Sequence, residues 1–370
     1  MRAVSDRFLA ALGGPKAIAT EITCTPPGGD PVPLLWDPEQ DSGSISMGAG
    51  SRVRYTASLS VASVVGGDTF DVISTPGAVF RIRQGIAFSP DDIEWVDLFA
   101  GETAKPEVGV FDGGIRLSLV DQWQRLDACR FMEPYAPISG VRGGRIASAV
   151  GDAIPGTTIV VHDGGGIMPG GGLWDKDRTK FITDVATDGD LDVGFDAAGA
   201  FIVQTAPTID PLSVAWSLTT GRSGVIIDAS RGRDLSRLYN AVVVMPTEEG
   251  QTWTAQTVEL ADTSHPLHRS KIGRRPFYHS SPTIMTAGAA ISTARGTLRR
   301  LLGVRETRTY EALSNPALEY GDTVTIDHPA TDTDPGLTGA EMVVGWRHDM
   351  RTWEMQIDTR TDDQPAMEES

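Results

Sequence analysis

Ser281–Ile326, SPTIMTAGAAISTARGTLRRLLGVRETRTYEALSNPALEYGDTVTI, holds one helix, one alternating strand, a turn and a short closing strand. Ile284, Ala287, Ile291, Ala294, Leu298 and Leu301 recur at three- or four-residue spacing, which predicts an amphipathic helix over 284–302. Gly303 follows as the residue best able to take the left-handed position after a helix. Arg299 and Arg300 sit in the last turn, where the helix dipole favours cations. From Val304 to Ala312 the period changes to two. Arg305, Thr307, Thr309 and Glu311 fall on one side; Glu306, Arg308 and Tyr310 fall on the other. So polar a strand is expected at a sheet edge or against another subunit. Asn315-Pro316 and Gly321-Asp322 bracket the turn into Val324 and Ile326.

Working outward, the rest of the chain reads as mainly β. Gly (41) and Pro (23) together make about 17 per cent of the 370 residues, against ~12 per cent in average proteins. After a short helix from Ser5 to Leu12, with Ser5 as N-cap, strands are expected at Ala17–Cys24, Val32–Trp36, Arg52–Val61, Val79–Ile82, Glu94–Phe99, Val108–Phe111 and Ile115–Val120. Short strands at such spacing indicate a barrel or sandwich. A Pro-punctuated linker near Met132–Ser139 leads to a helix over Gly140–Ala153, a glycine-rich loop DGGGIMPGGG (163–172), a helix over Asp175–Asp188 and a hairpin around DAAG. These pieces form a small α+β insertion. The expected domains are 1–135, a first β domain; 136–208, the α+β insertion; 209–360, a second β domain with the helix 284–302; and 361–370, an acidic disordered tail.

Composition narrows the function. The net charge of −17 disfavours phosphate backbones, whose affinity comes from cations. Cys24 and Cys129 are the two cysteines, far apart and outside any CxxC, so neither a zinc site nor a disulfide framework is expected and a reducing compartment is the simple reading. No signal peptide is visible, and no apolar run approaches the ~18 residues of a membrane span. GxSxG, HExxH and GK[ST] are absent, so no catalytic, cofactor or metal residues are assigned. His265 and His268 flank Pro266 and read as interface or surface histidines; Asp91-Asp92 and Asp362-Asp363 read as solvated charge. Trp216, Trp346 and Trp353 are expected in packed positions on strands.

The acidity is uneven. Residues 265–310 hold nine Lys/Arg and one acid, whereas 311–370 hold three Arg and fourteen acids. Arg269, Lys271, Arg274, Arg275, Arg305 and Arg308 are the candidate subunit-interface residues. The segment HRSKIGRRPFYH around the first four reads as a protein–protein contact ahead of an intramolecular strap or a nucleic-acid contact.

The order of pieces resembles the baseplate or tail hub proteins of tailed bacteriophages, especially the hub-like minor tail proteins of actinobacterial siphophages. It is carried by MRAVSDRFLAAL, GGIRLSLVDQWQRL, IASAVGDAIPG, WDKDRTKFITDVATDGD, FDAAGAFIV, SRLYNAVVV and the helix with NPALEYGDTVTI. The resemblance implies two tube-like β-barrel domains with smaller domains attached, and a homotrimer whose six barrels form a ring. That ring joins a hexameric tail tube to a threefold tip. Its implied partners are a distal tail or tube protein above, tip, fibre or central spike proteins below, and the tape-measure protein in the lumen. It implies a virion protein assembled in the host cytoplasm, with no enzymatic activity, no cofactor and no specific nucleic-acid binding. A carbohydrate-binding receptor module and a cell-wall hydrolase are the alternatives.

Overall fold

A computed structural model describes residues 1–49, 51–61, 69–103, 105–109, 114–221, 224–232, 238–247, 253–302, 307–330, 336–361 and 367–369. The chain is mainly β with small helical insertions. One 14-stranded sheet dominates the described residues. Its hydrogen-bonded order is Ile226–Gly232, Thr307–Leu313, Glu354–Arg360, Leu337–Asp349, Ser42–Gly48, Tyr55–Val61, Ile115–Asp121, Asp92–Thr103, Val79–Ser89, Ala17–Thr25 and Val32–Leu34. Thr323–His328 pairs with Leu337–Asp349 and, in parallel, with Val214–Thr219. The two β-rich ends of the chain are therefore one sheet. Their seam is antiparallel, with Trp346 opposite Met47 and His348 opposite Ile45.

Alternation explains the sheet's inner face. In Tyr55–Val61 every odd residue is buried and every even one exposed. Those buried side chains join Ile22, Phe80, Ile82, Leu117, Tyr310, Trp346 and Ile357 in one core drawn from both ends of the chain. The N-terminal helix Asp6–Leu12 is capped as expected, Ser5 Oγ accepting from the Phe8 amide at 3.2 Å. It packs Phe8 and Leu12 on Ile86 and Val96, outside that core.

The strand Thr307–Leu313 corrects the reading of the opening stretch. It is interior, paired on one side with Ile226–Gly232 and on the other with Glu354–Arg360. Its polar side chains are satisfied across the sheet. Thr309 donates to Asp358 at 2.6 Å. Buried Glu341 takes the Tyr310 hydroxyl, at 3.1 and 3.2 Å to its two oxygens, together with Thr359 and the Arg308 guanidinium. Polar alternation thus marks a cross-strand network and not an edge. Gly303 and Arg305 lie outside the described residues.

The helix Ala287–Leu302 does not pack on the large sheet. Ala290, Ala294, Leu298 and Leu302 bury against Val242, Val244, Val258 and Leu260. These belong to a separate four-stranded sheet made by Pro276–His279, Ala241–Val244, Gln256–Leu260 and Met367–Glu369. Met367–Glu369, expected in a disordered tail, instead pairs with Gln256–Leu260, whose edge offers unpaired backbone groups.

The α+β insertion forms as expected, from helices Arg142–Ala153 and Arg178–Asp188 and the hairpin Leu191–Phe195 with Phe201–Thr205. Ile159–Val161 adds a parallel strand. Its core reaches back to Trp123 and Leu126, so it begins packing before residue 136. The glycine-rich loop is paired and packed. Ile167–Met168 pairs with Gly140–Val141, and Met168 is fully buried. Gly165 sits at φ +63, and a Cβ there would meet Leu191 Cδ1 at 2.6 Å, so the loop's glycines allow close approach.

The seam is pinned by a buried imidazole. Gln84 Nε2 donates to Thr20 Oγ1 at 2.8 Å and to the Met350 carbonyl at 3.1 Å, leaving its Oε1 to accept from His348 Nε2 at 2.6 Å. His348 Nδ1 is then left to accept from the Ser314 hydroxyl at 2.8 Å. Trp353, in a left-handed turn at φ 57 and not on a strand as expected, closes edge-on over the ring at 5.5 Å. Burial pushes the His348 pKa down to about 4. The unfolded chain takes up a proton near pH 6.5 that the folded imidazole refuses until about 4. This group therefore stabilises the fold fully above that window and progressively less as pH falls through it, at ~1.4 kcal/mol per unit. Chemical denaturation across the window should show the stability gap between wild type and His348→Gln shrinking as pH drops. A constant gap would exclude a depressed imidazole.

Candidate functional site

One grouping of side chains has the chemistry of a hydrolytic site. Asp188, at the end of the helix Arg178–Asp188, is buried and accepts from Ser281 Oγ at 2.6 Å and from Thr283 Oγ1, and contacts His279 Nε2 at 3.1 Å. A hydroxyl nucleophile needs the imidazole between itself and the carboxylate, so that the ring can take its proton. Here the carboxylate stands in the middle. The group is a latch that ties the segment after Pro276–His279 to the α+β insertion.

No group of three or more His, Cys, Asp or Glu is placed to hold a metal among the described residues. His265 and His268 are buried, not at the surface, and each Nδ1 accepts from a backbone amide, of Leu267 at 3.1 Å and of Ser270 at 3.3 Å. They fix the turn into the short helix Arg269–Ile272. Asp92 is an ion-pair partner of Arg7 at 2.6 Å; Asp362 and Asp363 lie outside the described residues. Both cysteines are free, and burial pushes the Cys24 thiol up to about 11, where it is inert as a nucleophile. No described helix is long and apolar enough to cross a membrane.

The candidate interface residues divide. Arg269 and Arg274 both reach Glu259, at 2.7 and 3.2 Å, and Lys271 donates to the Ser264 carbonyl at 2.6 Å. Arg275 is bound through its backbone, its amide donating to Asn240 Oδ1 at 2.8 Å, while its side chain is exposed and has no ion pair among the described residues. Arg308 belongs to the Glu341 network. Arg305 lies outside the described residues. The segment is thus strapped to its own sheet by Glu259, while Arg274, Arg275 and Tyr278 face outward. Charge counting along the chain missed Glu259 and Glu341, because each lies outside the basic block that it pairs with.

A junction that the sequence reading passed over lies where the parts meet. Arg54, next to the strand Tyr55–Val61, pairs with Asp192 of the insertion at 2.8 Å and stacks 4.7 Å from the ring of Tyr320. Its amide, with those of Tyr55 and Trp123, donates to buried Asp121. Beside it opens a cleft of about 490 Å³ between the end of the helix Ala287–Leu302, the insertion and the seam of the large sheet.

The sequence matches no protein-family model and no curated protein. Solved structures do match. The tail protein from Neisseria meningitidis MC58 superposes with a TM-score of 0.65 at 12% identity, over 93% of this chain and 97% of that one. The fold is that of phage tail proteins. The 43 kDa tail protein of prophage MuSo2 from Shewanella oneidensis gives 0.59 at 12% identity, over 92% and 98%. Prophage tail protein gp18 from Listeria monocytogenes EGD-e gives 0.54 at 11% identity, over 93% and 95%. The likeness therefore extends over more than nine-tenths of this chain, with almost no sequence identity to carry it.

The geometry separates Arg308 from Arg275. Arg308→Glu would set a carboxylate against buried Glu341 and should cost about 3 kcal/mol or more of stability. Arg275→Glu should change it by under ~0.5 kcal/mol. Denaturant titrations of the two variants check this, and an Arg308→Glu protein as stable as wild type would refute the buried network.

Proposed function

We propose that the protein is a structural hub of a phage tail tip or baseplate. Three copies form a ring that joins the hexameric tail tube to a threefold tip and surrounds the channel for genome delivery. The observation that carries this reading is the end-to-end match of the fold to three tail proteins. Support also comes from the side chains: the one hydroxyl–carboxylate–imidazole grouping described above is wired as a latch, consistent with a part that acts by shape.

In this reading the β-rich parts at 1–135 and 209–360 supply the two arcs of wall that each copy contributes, and 136–208 decorates the outside. The tube or distal tail protein stacks above, the tip, fibre or spike proteins below, and the tape-measure protein passes through the lumen. The protein assembles in the host cytoplasm and ends in the virion. Acids facing the lumen, within a chain of −17, would keep DNA from sticking to the wall. Neighbouring copies meet through outward-facing Arg274 and Arg275. Exposed pairs of this kind contribute only ~0–1 kcal/mol each, so they set register while apolar burial holds the ring.

Two measurements test the proposal. A reconstruction of the virion should place this chain in a threefold ring at the tail tip; its location in the head, or its absence, would end the idea. Arg274→Glu combined with Arg275→Glu should leave the purified protein folded, with only the small loss in its melt expected from breaking the exposed Arg274–Glu259 pair, while reducing the yield of assembled tails. Normal tails from that double variant would remove the strap from the interface.

A further inference from the structure

The cleft at the junction is lined by three guanidinium groups, Arg299 and Arg300 from the last turn of the helix and Arg360 from the strand Glu354–Arg360. In a strongly acidic protein these cations are poorly matched. Arg299 and Arg300 share one carboxylate, Asp190, each at 3.6 Å, beyond hydrogen-bond length. Arg360 reaches the Pro207 carbonyl only at 3.5 Å. Asp358, the second acid in the cleft, already accepts from Thr309 at 2.6 Å.

The approach of Asp190 is built into the backbone. Asp190 takes a left-handed conformation at φ 52, and Gly296 leaves the space for it, since a Cβ at Gly296 would lie 3.0 Å from Asp190 Oδ1. The remaining walls are largely apolar, with Met47, Pro207, Ile209 and Val344. Among the described residues, three cations against two carboxylates leave one positive charge. A dianionic phosphate would face two acids in the same space, whereas a single carboxylate would complete the balance and offer two oxygens to forked donors. The volume is of the size that holds a small ligand or a few residues of peptide.

We infer that this cleft is a docking site for a segment of another protein that inserts one carboxylate beside an apolar side chain. The inference rests on the cleft's charge balance and lining, and it stands apart from the trimer and channel proposed above. The guanidinium groups bind the inserted carboxylate in place of water. Ile209 and Val344 cover the neighbouring apolar group. Because the cleft touches the helix, the insertion and the seam together, an occupant would clamp the three parts.

The probe is acetyl-Leu-Glu-Leu-amide, titrated into the full chain with ligand-detected NMR. Binding of so short a segment should fall in the range of ~1 mM. Acetyl-Leu-Gln-Leu-amide should bind at least about tenfold more weakly, as expected when charge-assisted hydrogen bonds are lost. Arg300→Gln and Arg360→Gln, on two different elements, should each weaken the Glu peptide several-fold, with melts confirming that both variants fold. Equal binding of the Glu and Gln peptides, binding unaffected by both substitutions, or no binding of the Glu peptide at all would overturn the inference. Displacement of the peptide by lower concentrations of inorganic phosphate would overturn it in favour of a small-anion site.

Discussion

The ladder between Ser44–Asp349 and Gly48–Gly345 is the constraint on which the rest depends. It joins strands from the two ends of the chain into one sheet over one shared core. Two of the groups that close this core lie on that line. Trp346 is buried on it and donates to the Leu318 carbonyl at 3.2 Å. His348, beside it, reaches Gln84 on the far strands. The smaller layers then attach partly by polar contacts: the insertion through Arg54 and Asp192, beside its apolar packing on Trp123 and Leu126, and the helix-bearing sheet through the Asp188 latch.

Polar side chains inside this protein are organised around carboxylates that receive several donors each. Asp121 takes three backbone amides, Glu341 takes a tyrosine, a threonine and an arginine, and Asp188 takes two hydroxyls. A buried carboxylate is costly unless its lone pairs are filled, and these are. The overall acidity is thus partly an internal construction material and not wholly a property of the surface.

Much of the fold was legible in the sequence, because strict alternation and helix caps are local signals. Tyr55–Val61, the Ser5 cap and the small α+β insertion follow directly from them. The strand Ser42–Gly48 was missed, although it forms the seam. Its sequence, SGSISMG, offers only Ile45 and Met47 among serines and glycines, so its burial comes from its partners. The strand Thr307–Leu313 was misread for the converse reason, since its polar residues look exposed until Glu341 and Asp358 arrive from distant strands. The strap residues were singled out by charge, but Glu259 could not be assigned to them without the fold. The cleft was invisible altogether, as Arg299 and Arg300 lie on the helix while Arg360 comes from a strand distant in sequence.

The seam also sets an order in time. The strand Ser42–Gly48 is made well before Leu337–Asp349. Until the late strand emerges, the core on the early half has an open side, and the imidazole that pins it has not been synthesised. Contacts this distant in sequence close slowly, because the loop between them must first be ordered. A truncated or stalled product would therefore lack the finished sheet. Any partner that recognises that sheet would discriminate chains that carry the late strand from chains that lack it, without a separate checkpoint.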